Sequence, residues 1–190
     1  MRAGIFSVTG YANNNVEGHV KKNRRASALF LSACLLTSMA AAYAEDDPKV
    51  VTEKDGRYLD KDGFPTFNVK PDGAVDWATF SGFRRYHAEC HVCHGPDGEG
   101  STYAPALKNS LKTITYPEFL SIVAAGRQNV SSSQENVMPA FGQNKNVVCY
   151  LDDIYTYLRA RAHDAIPRGR PAKHEDKPES AKKAETECMG

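Results

Sequence analysis

The sequence predicts an all-α domain in residues 74–163, because three segments there carry apolar residues at helical spacing. These segments cover about residues 76–90, 115–126 and 146–162. No βαβ pattern and no internal repeat is visible along the 190 residues. Three short amphipathic helices enclose little apolar volume by themselves, so the domain needs a further apolar centre.

The first helix begins near Asp76, which is a typical N-cap residue, and runs into Cys90. Phe80, Phe83 and Tyr86 follow one another at three-residue spacing and form one apolar stripe. We expect this stripe to face the centre of the domain.

The second helix begins with a capping box of Thr115 and Glu118, with Pro117 in its first turn. Gly126 is a natural residue to end it. The third helix is predicted from about residue 146 to residue 162. Its apolar face consists of Val147, Leu151, Ile154, Tyr157 and Leu158.

The segment Cys90-His91-Val92-Cys93-His94 has the C-x-x-C-H spacing that attaches a haem covalently. Both thiols can add to haem vinyl groups, and His94 then becomes an axial ligand of the iron. A zinc site would need a second closely spaced pair of ligands. A thioredoxin-type pair would lie near a βαβ pattern. The motif therefore predicts one covalently bound haem c, which supplies the apolar centre.

Met138, followed by Pro139, is the candidate for the second axial ligand. The polar, helix-poor residues 127–136 form a loop that could carry this side chain across the haem face. A thioether favours Fe(II), so His/Met coordination raises the reduction potential. The alternative is that Met138 only packs beside Phe141.

Residues 1–44 are predicted to be a signal peptide that is cleaved after Ala44. A basic stretch at 21–25 precedes an apolar run at 26–39 and an A-x-A site at 42–44. We therefore expect export to the periplasm. The alternative is lipidation at Cys34, which would attach the protein to a membrane.

The flanks of the domain differ from it in composition. Residues 45–73 are a turn-rich extension, in which residues 57–59 and 64–69 are predicted to pair as a small hairpin over the turn at 62–63. Residues 164–190 are charged and almost free of apolar side chains, so we expect a flexible tail. The chain has 24 Lys and Arg against 23 Asp and Glu, a balance that gives no indication of nucleic-acid binding.

The region 74–163 resembles the class I c-type cytochromes. Gly82 and Tyr86 match the positions at which the first helix of that family crosses the last. Pro105 and Leu107 match a segment whose proline carbonyl accepts a hydrogen bond from the proximal histidine, here His94, and whose leucine packs on the haem. The resemblance implies a class I cytochrome c fold of three to four short helices around one covalent haem.

A narrower resemblance is to the four-cysteine, methanol-metabolism-related periplasmic cytochromes. It implies electron donation by a quinoprotein alcohol or methanol dehydrogenase and an acceptor that is another cytochrome or an oxidase. Cys149 and Cys188 are the extra pair, and two thiols in an oxidising compartment tend to form a disulfide. We expect that bridge to tether the tail and the protein to be a monomer.

Two classes of function fit these residues. A one-electron carrier would have both axial positions filled by His94 and Met138. A ligand sensor or peroxidase-like enzyme would need an open sixth position. A cytochrome subunit of a stable dehydrogenase or oxidase complex differs from the free carrier only in how long it stays bound. The sequence favours the carrier and not an enzyme.

Overall fold

The computed structural model describes residues 46–130 and 135–190. The predicted signal peptide, its cleavage site and Cys34 lie outside the described residues. None of the helices in the described part of the chain is both long enough and apolar enough to cross a membrane. The helices are α1 Trp77–Glu89, α2 His91–His94, α3 Leu107–Ser110, α4 Tyr116–Ala125, α5 Lys145–Val148, α6 Leu151–Ala162 and α7 Glu179–Met189. The strands are β1 Thr52–Lys54, β2 Arg57–Leu59, β3 Pro65–Thr66, β4 Arg127–Val130 and β5 Glu135–Met138.

Helices α1 and α6 cross in close contact at Gly82. A Cβ atom at this position would overlap the backbone carbonyl of Asp153 and lie 2.8 Å from the Cβ of Tyr157. The absent side chain therefore allows the two backbones to touch. This is the helix crossing that the resemblance to class I cytochromes implies.

The core lies around this crossing and is continuous. The predicted stripe of α1 is only partly buried, since Phe80 and Tyr86 lie in the core while Phe83 packs against its edge. The other buried apolar residues come mainly from α4, α5 and α6. They include Leu111, Phe119, Val123, Val147, Leu151, Ile154, Tyr155, Tyr157 and Leu158.

The ends of the first two predicted helices agree with the structure. Asp76 caps α1 by accepting a hydrogen bond from the backbone N–H of Thr79. Thr115 and Glu118 form the capping box of α4, and Gly126 ends it. These agreements are expected because caps depend on residues close together in sequence.

The third predicted helix is divided in two, and this part of the prediction was wrong. Helix α5 ends before Cys149, and Tyr150 takes a non-helical conformation (φ −130°, ψ 16°) before α6 begins. The interruption leaves Tyr150 buried, with the guanidinium carbon of Arg85 3.5 Å from its ring centre. A cation–π contact of this kind is a tertiary interaction that helical periodicity does not reveal.

The N-terminal extension forms a three-stranded antiparallel sheet in the order β1-β2-β3. The predicted hairpin corresponds to β2 and β3, in which Tyr58 is opposite Thr66. The carboxylate of Asp60 accepts hydrogen bonds from the N–H groups of Asp62 and Phe64 and closes the turn. Strand β1 was not predicted, because its three residues are all exposed and show no alternation of apolar residues.

The extension is joined to α6 through the buried side chain of Arg159. Its guanidinium bonds to the carboxylates of Asp46 and Asp60 and to the carbonyl of Pro65. His163 also contacts Asp46, at 2.8 Å. Burial opposes ionisation of Asp46, but the hydrogen bonds from Arg159 and His163 outweigh it and lower its pKa.

Residues 164–190 differ from the expected flexible tail. Val75 forms isolated bridge pairing with His174, whose ring stacks on Phe80 with 3.7 Å between ring centres. The chain then forms α7, which carries no buried residue of its own. The composition was misleading because the tail lies on the domain through a few specific contacts and not through an apolar face.

A disulfide joins Cys149 to Cys188, as predicted, with 5.7 Å between the Cα atoms. It links the end of α5 to the last turn of α7. Lys145 adds a second link by donating to the backbone carbonyl of Met189 at 2.9 Å. The disulfide therefore cross-links the C-terminal helix to the end of α5.

We predict that replacing both Cys149 and Cys188 with Ser lowers the free energy of unfolding by about 2–4 kcal/mol, because the bridge closes a long loop in the unfolded chain. Hydrogen exchange should show a larger loss of amide protection in α7 than in α1 or α4. Met189→Ala, next to the bridge, is the control and should change neither quantity appreciably. Two separately alkylated thiols, Cys149 and Cys188, in an unreduced peptide map would contradict the bridge.

Candidate haem site

The two thiols of the motif lie where α1 ends and α2 begins. The N–H of Cys90 donates to the carbonyl of Tyr86 and ends α1, while the N–H of His94 donates to the carbonyl of Cys90 within α2. Cys90 is half-buried and Cys93 is exposed, and neither takes part in the disulfide. Burial raises the pKa of the Cys90 thiol to about 12. A thiol that is so weakly ionised does not suit a dithiol redox pair, which relies on a low thiol pKa.

His94 is buried and its ring orientation is set by one hydrogen bond. Its Nδ1 lies 3.0 Å from the carbonyl oxygen of Pro105. A carbonyl can only accept, so Nδ1 carries the proton and the lone pair of Nε2 is left for a metal. The backbone carbonyl of His94 also accepts from the N–H of Gly100 at 2.8 Å.

Tyr86 holds the loop that follows His94. Its hydroxyl donates to the carbonyl of Gly95 at 2.5 Å and accepts from the N–H of Gly98 at 3.1 Å. The side chain is completely buried, and this burial raises the pKa of its phenol. Gly95 has φ +72°, and a Cβ there would overlap the carbonyl of Gly100. These contacts hold the loop after His94 in a tight turn.

Asp97 connects this loop to α6 and to the C-terminal tail. Its carboxylate accepts from the hydroxyl of Tyr157 at 3.2 Å, the N–H of Gly169 at 3.0 Å and the Nε of Arg168 at 3.4 Å. Its backbone carbonyl accepts from Arg161 at 3.3 Å. Burial opposes ionisation of the Asp97 carboxyl. The three hydrogen bonds to its carboxylate outweigh this effect and lower its pKa below the ordinary 3.8.

The matching segment Pro105 and Leu107 lies against the motif. Pro105 provides the carbonyl that orients His94, and Leu107 begins α3 and packs at the edge of the core. A Cβ at Gly98 would lie 3.8 Å from the Cβ of Leu107 and 3.2 Å from a methyl of Leu158. The loop after the motif, α3 and α6 therefore meet at one place.

Met138 lies at the end of β5 and not in an irregular loop. Strands β4 and β5 pair antiparallel, with Arg127 opposite Met138 and Gln128 opposite Val137. Residues 127–136 were predicted to be a helix-poor loop, whereas residues 127–130 and 135–138 pair as strands, because short polar strands have no strong local sequence signal. Met138 and Phe141 are both partly buried against the core.

Three apolar side chains are largely exposed in the segments that carry these residues. Val92, between the two thiols, is 74% exposed, Tyr103 is 76% exposed and Val137 is 55% exposed. Single exposed apolar side chains are common on protein surfaces, and these three lie in the segments that carry the predicted site residues.

The residues fit a haem better than the alternatives. In the described part of the chain, no group of three His, Cys, Asp or Glu could hold a metal ion by itself. A single oriented imidazole beside two thiols outside any disulfide is the donor set of covalent haem attachment. Cys90 and Cys93 would hold the porphyrin, and His94 would provide the axial nitrogen.

Known proteins with similar sequences agree with this chemistry. The chain is 59% identical over 136 residues to cytochrome c-553I of Paracoccus denitrificans, a match that covers 72% of this chain and 60% of that protein. It is 42% identical over 96 residues to cytochrome c-555 of Methylococcus capsulatus, covering 50% of this chain and 72% of that one. No protein-family model matches the chain.

The chain belongs to the c-type cytochromes. The crystal structure of c-type cytochrome XoxG from Methylobacterium extorquens AM1 is similar, with 61% sequence identity and a TM-score of 0.69. That match covers 74% of this chain and 86% of the XoxG chain. The fold is the class I cytochrome c fold, and the cytochrome carries a covalently bound haem c. The chain spans less than two thirds of the Paracoccus relative.

Sequence reasoning missed several residues that build the site. Asp97 and Arg161 are charged residues whose burial follows only from their distant partners. The pair Gly95 and Gly98 could have been noticed, because closely spaced glycines after a motif indicate a tight backbone turn.

We predict that Asp97→Asn lowers the free energy of unfolding at pH 7 by about 1.5–3 kcal/mol, the value of hydrogen bonds to a charged group. A carboxyl with a lowered folded-state pKa stabilises above its ordinary value of 3.8, and this contribution is lost as the pH falls below it. Denaturant titrations from pH 7 to pH 3 should therefore show the variant and the original protein converging in acid.

Asp62→Asn is the control for this prediction, since the side chain of Asp62 is 58% exposed. It should leave the unfolding free energy nearly unchanged at every pH. A constant difference between Asp97→Asn and the original protein across the pH range would contradict the assigned ionisation.

Proposed function

We propose that this protein is a periplasmic monohaem cytochrome that carries single electrons, with His94 and Met138 as the two axial ligands. The observation that carries the proposal is the bond from His94 to Pro105, which leaves Nε2 available to iron. The bound haem c supplies a reversible one-electron change at its iron. The protein residues hold it through Cys90 and Cys93 and fix the orientation of the proximal ring.

Met138 supports a carrier because it would fill the position that an enzyme or sensor needs open. Its thioether is a soft ligand that favours the reduced state and raises the potential. The pairing of Met138 with Arg127 and its packing against the core hold the residue in place. A haem with both axial positions filled exchanges electrons without admitting a substrate.

The electron donor we propose is a quinoprotein methanol or alcohol dehydrogenase, and the acceptor is another cytochrome or a terminal oxidase. The resemblance to the methanol-metabolism cytochromes supports this, as do the homologues from methylotrophs. We propose that the exposed side chains of Val92, Tyr103 and Val137 contact each partner. A small interface suits a short-lived electron-transfer complex between this cytochrome, as a monomer, and its partner.

Replacing Met138 with Ala is predicted to abolish the Met-to-iron charge-transfer band, lower the reduction potential and allow exogenous ligands to bind, because the thioether stabilises the reduced iron. Optical spectra and a redox titration of the holoprotein measure these changes. Met189→Ala is a matched control, because Met189 lies at the end of α7. If Met138→Ala leaves the band and the potential unchanged, another residue is the ligand.

The donor assignment predicts fast reduction of the oxidised cytochrome by substrate-reduced methanol dehydrogenase from the same organism in stopped-flow experiments. Tyr103→Ser should slow this reaction severalfold at an unchanged potential, because it removes apolar contact area from the docking surface. Val51→Ser is the control. Val51 is also exposed, at 61%, but it lies next to strand β1 and not in the segments proposed to contact the partner. Reduction no faster than with an unrelated dehydrogenase would refute the methanol assignment and leave the carrier role intact.

A further inference from the structure

Gly126 lies against the backbone of the segment that carries Met138. It ends α4 with φ +75°, a conformation that favours glycine. A Cβ atom at this position would lie 2.6 Å from the carbonyl oxygen of Met138, 2.8 Å from the nitrogen of Ala140 and 3.0 Å from the carbonyl carbon of Pro139. All three neighbours are backbone atoms, so a side chain could be accepted only by moving the segment.

The same segment is hydrogen-bonded to the end of α4. The N–H of Phe141 donates to the carbonyl of Val123, and the N–H of Gly142 donates to that of Ala124, each at 3.0 Å. A Cβ at Gly142 would lie only 2.9 Å from the carbonyl oxygen of Ala124. The chain after Met138 therefore lies in close contact with the end of α4 at two glycines, Gly126 and Gly142.

Helix α4 gives this contact a rigid support. Phe119 and Val123 are buried in the core, and Phe119 packs on Tyr155 of α6 with 5.2 Å between ring centres. A side chain at Gly126 would consequently displace the Met138 segment more readily than the helix. The strand pairing of Arg127 with Met138 transmits the same constraint from the neighbouring residue.

We propose that Gly126 is a positioning residue for Met138, which it holds at the place from which the thioether coordinates the iron. This inference rests on the proposed ligand role of Met138. Gly126 touches the backbone of Met138 and not the haem, so it acts through the ligand. Its replacement changes how firmly Met138 coordinates, in addition to any effect on stability.

A Gly→Ala substitution at Gly126 has two effects that a matched variant separates. One is backbone strain, which any residue with a side chain suffers at positive φ. The other is displacement of the Met138 backbone. Gly63 has nearly the same φ, +77°, but has no atom within 4 Å of its added Cβ. Gly63→Ala therefore adds a side chain at nearly the same positive φ without the displacement.

The experiment compares Gly126→Ala, Gly63→Ala and Met138→Ala as haem-loaded mature proteins. The measured quantities are the Met-to-iron charge-transfer band, the midpoint potential and the affinity of the oxidised protein for imidazole. Gly126→Ala should weaken the band, lower the potential and raise the imidazole affinity about tenfold or more, because overpacking a tight contact shifts equilibria by that amount. Gly63→Ala should reduce stability while leaving all three quantities unchanged.

The possible outcomes separate this inference from the ligand assignment. If Met138→Ala has no effect on the band, the proposed ligand is wrong. If Met138→Ala abolishes the band while Gly126→Ala matches Gly63→Ala in every measurement, the ligand stands and the positioning role is overturned.

A second variant keeps the test decisive if Gly126→Ala fails to mature. Gly142→Ala adds a Cβ 2.9 Å from the carbonyl of Ala124 without a positive φ, so its backbone strain is smaller. Gly142→Ala should also raise the imidazole affinity, but by a smaller factor than Gly126→Ala. An unchanged affinity in Gly142→Ala would overturn the proposal that this contact positions Met138.

Discussion

The close crossing of α1 and α6 at Gly82 is the constraint on which the other parts of this cytochrome depend. Because the backbones touch there, both Tyr157 of α6 and Tyr86 of α1 reach the loop after His94. The thiol Cys90 directly follows α1, so the crossing also sets where the haem is attached. A larger residue at Gly82 would separate the two helices and disturb both groups of contacts.

Helix α6 buries two arginines, and each bonds to a different part of the chain. Arg159 holds the N-terminal extension through Asp46 and Asp60, whereas Arg161 donates to carbonyls in the haem loop and the tail. A buried charge is costly unless it is fully paired, so each arginine requires its partners in place. The extension and the tail therefore complete the packing of the domain and are not independent appendages.

The segments that carry the two proposed axial ligands, His94 and Met138, are held by different means. On the His94 side, a loop is closed by side-chain bonds to a tyrosine and to a buried carboxylate, Asp97. On the Met138 side, the positioning comes from backbone contact with the end of α4. Substitutions near His94 should consequently act through lost hydrogen bonds, and substitutions near Met138 through displaced backbone.

The sequence by itself determined the features that depend on neighbouring residues. The C-x-x-C-H motif indicated covalent haem because the chemistry needs both thiols and the imidazole within five residues. The caps at Asp76 and Thr115 indicated helix starts because a cap bonds within its own turn. Compartment chemistry was enough to predict the bridge between Cys149 and Cys188.

Only the tertiary structure decided the features that depend on distant partners. The tail lies on the domain because His174 stacks on Phe80, ninety-four positions earlier, a contact that composition does not reveal. At the interruption, Tyr150 is contacted by Arg85 from another helix. The close approach of Gly126 to the backbone of Met138 likewise joins segments that are twelve positions apart. Sequence patterns predict bonds between residues that are close together in the chain. The close approach of distant segments depends on the folded structure.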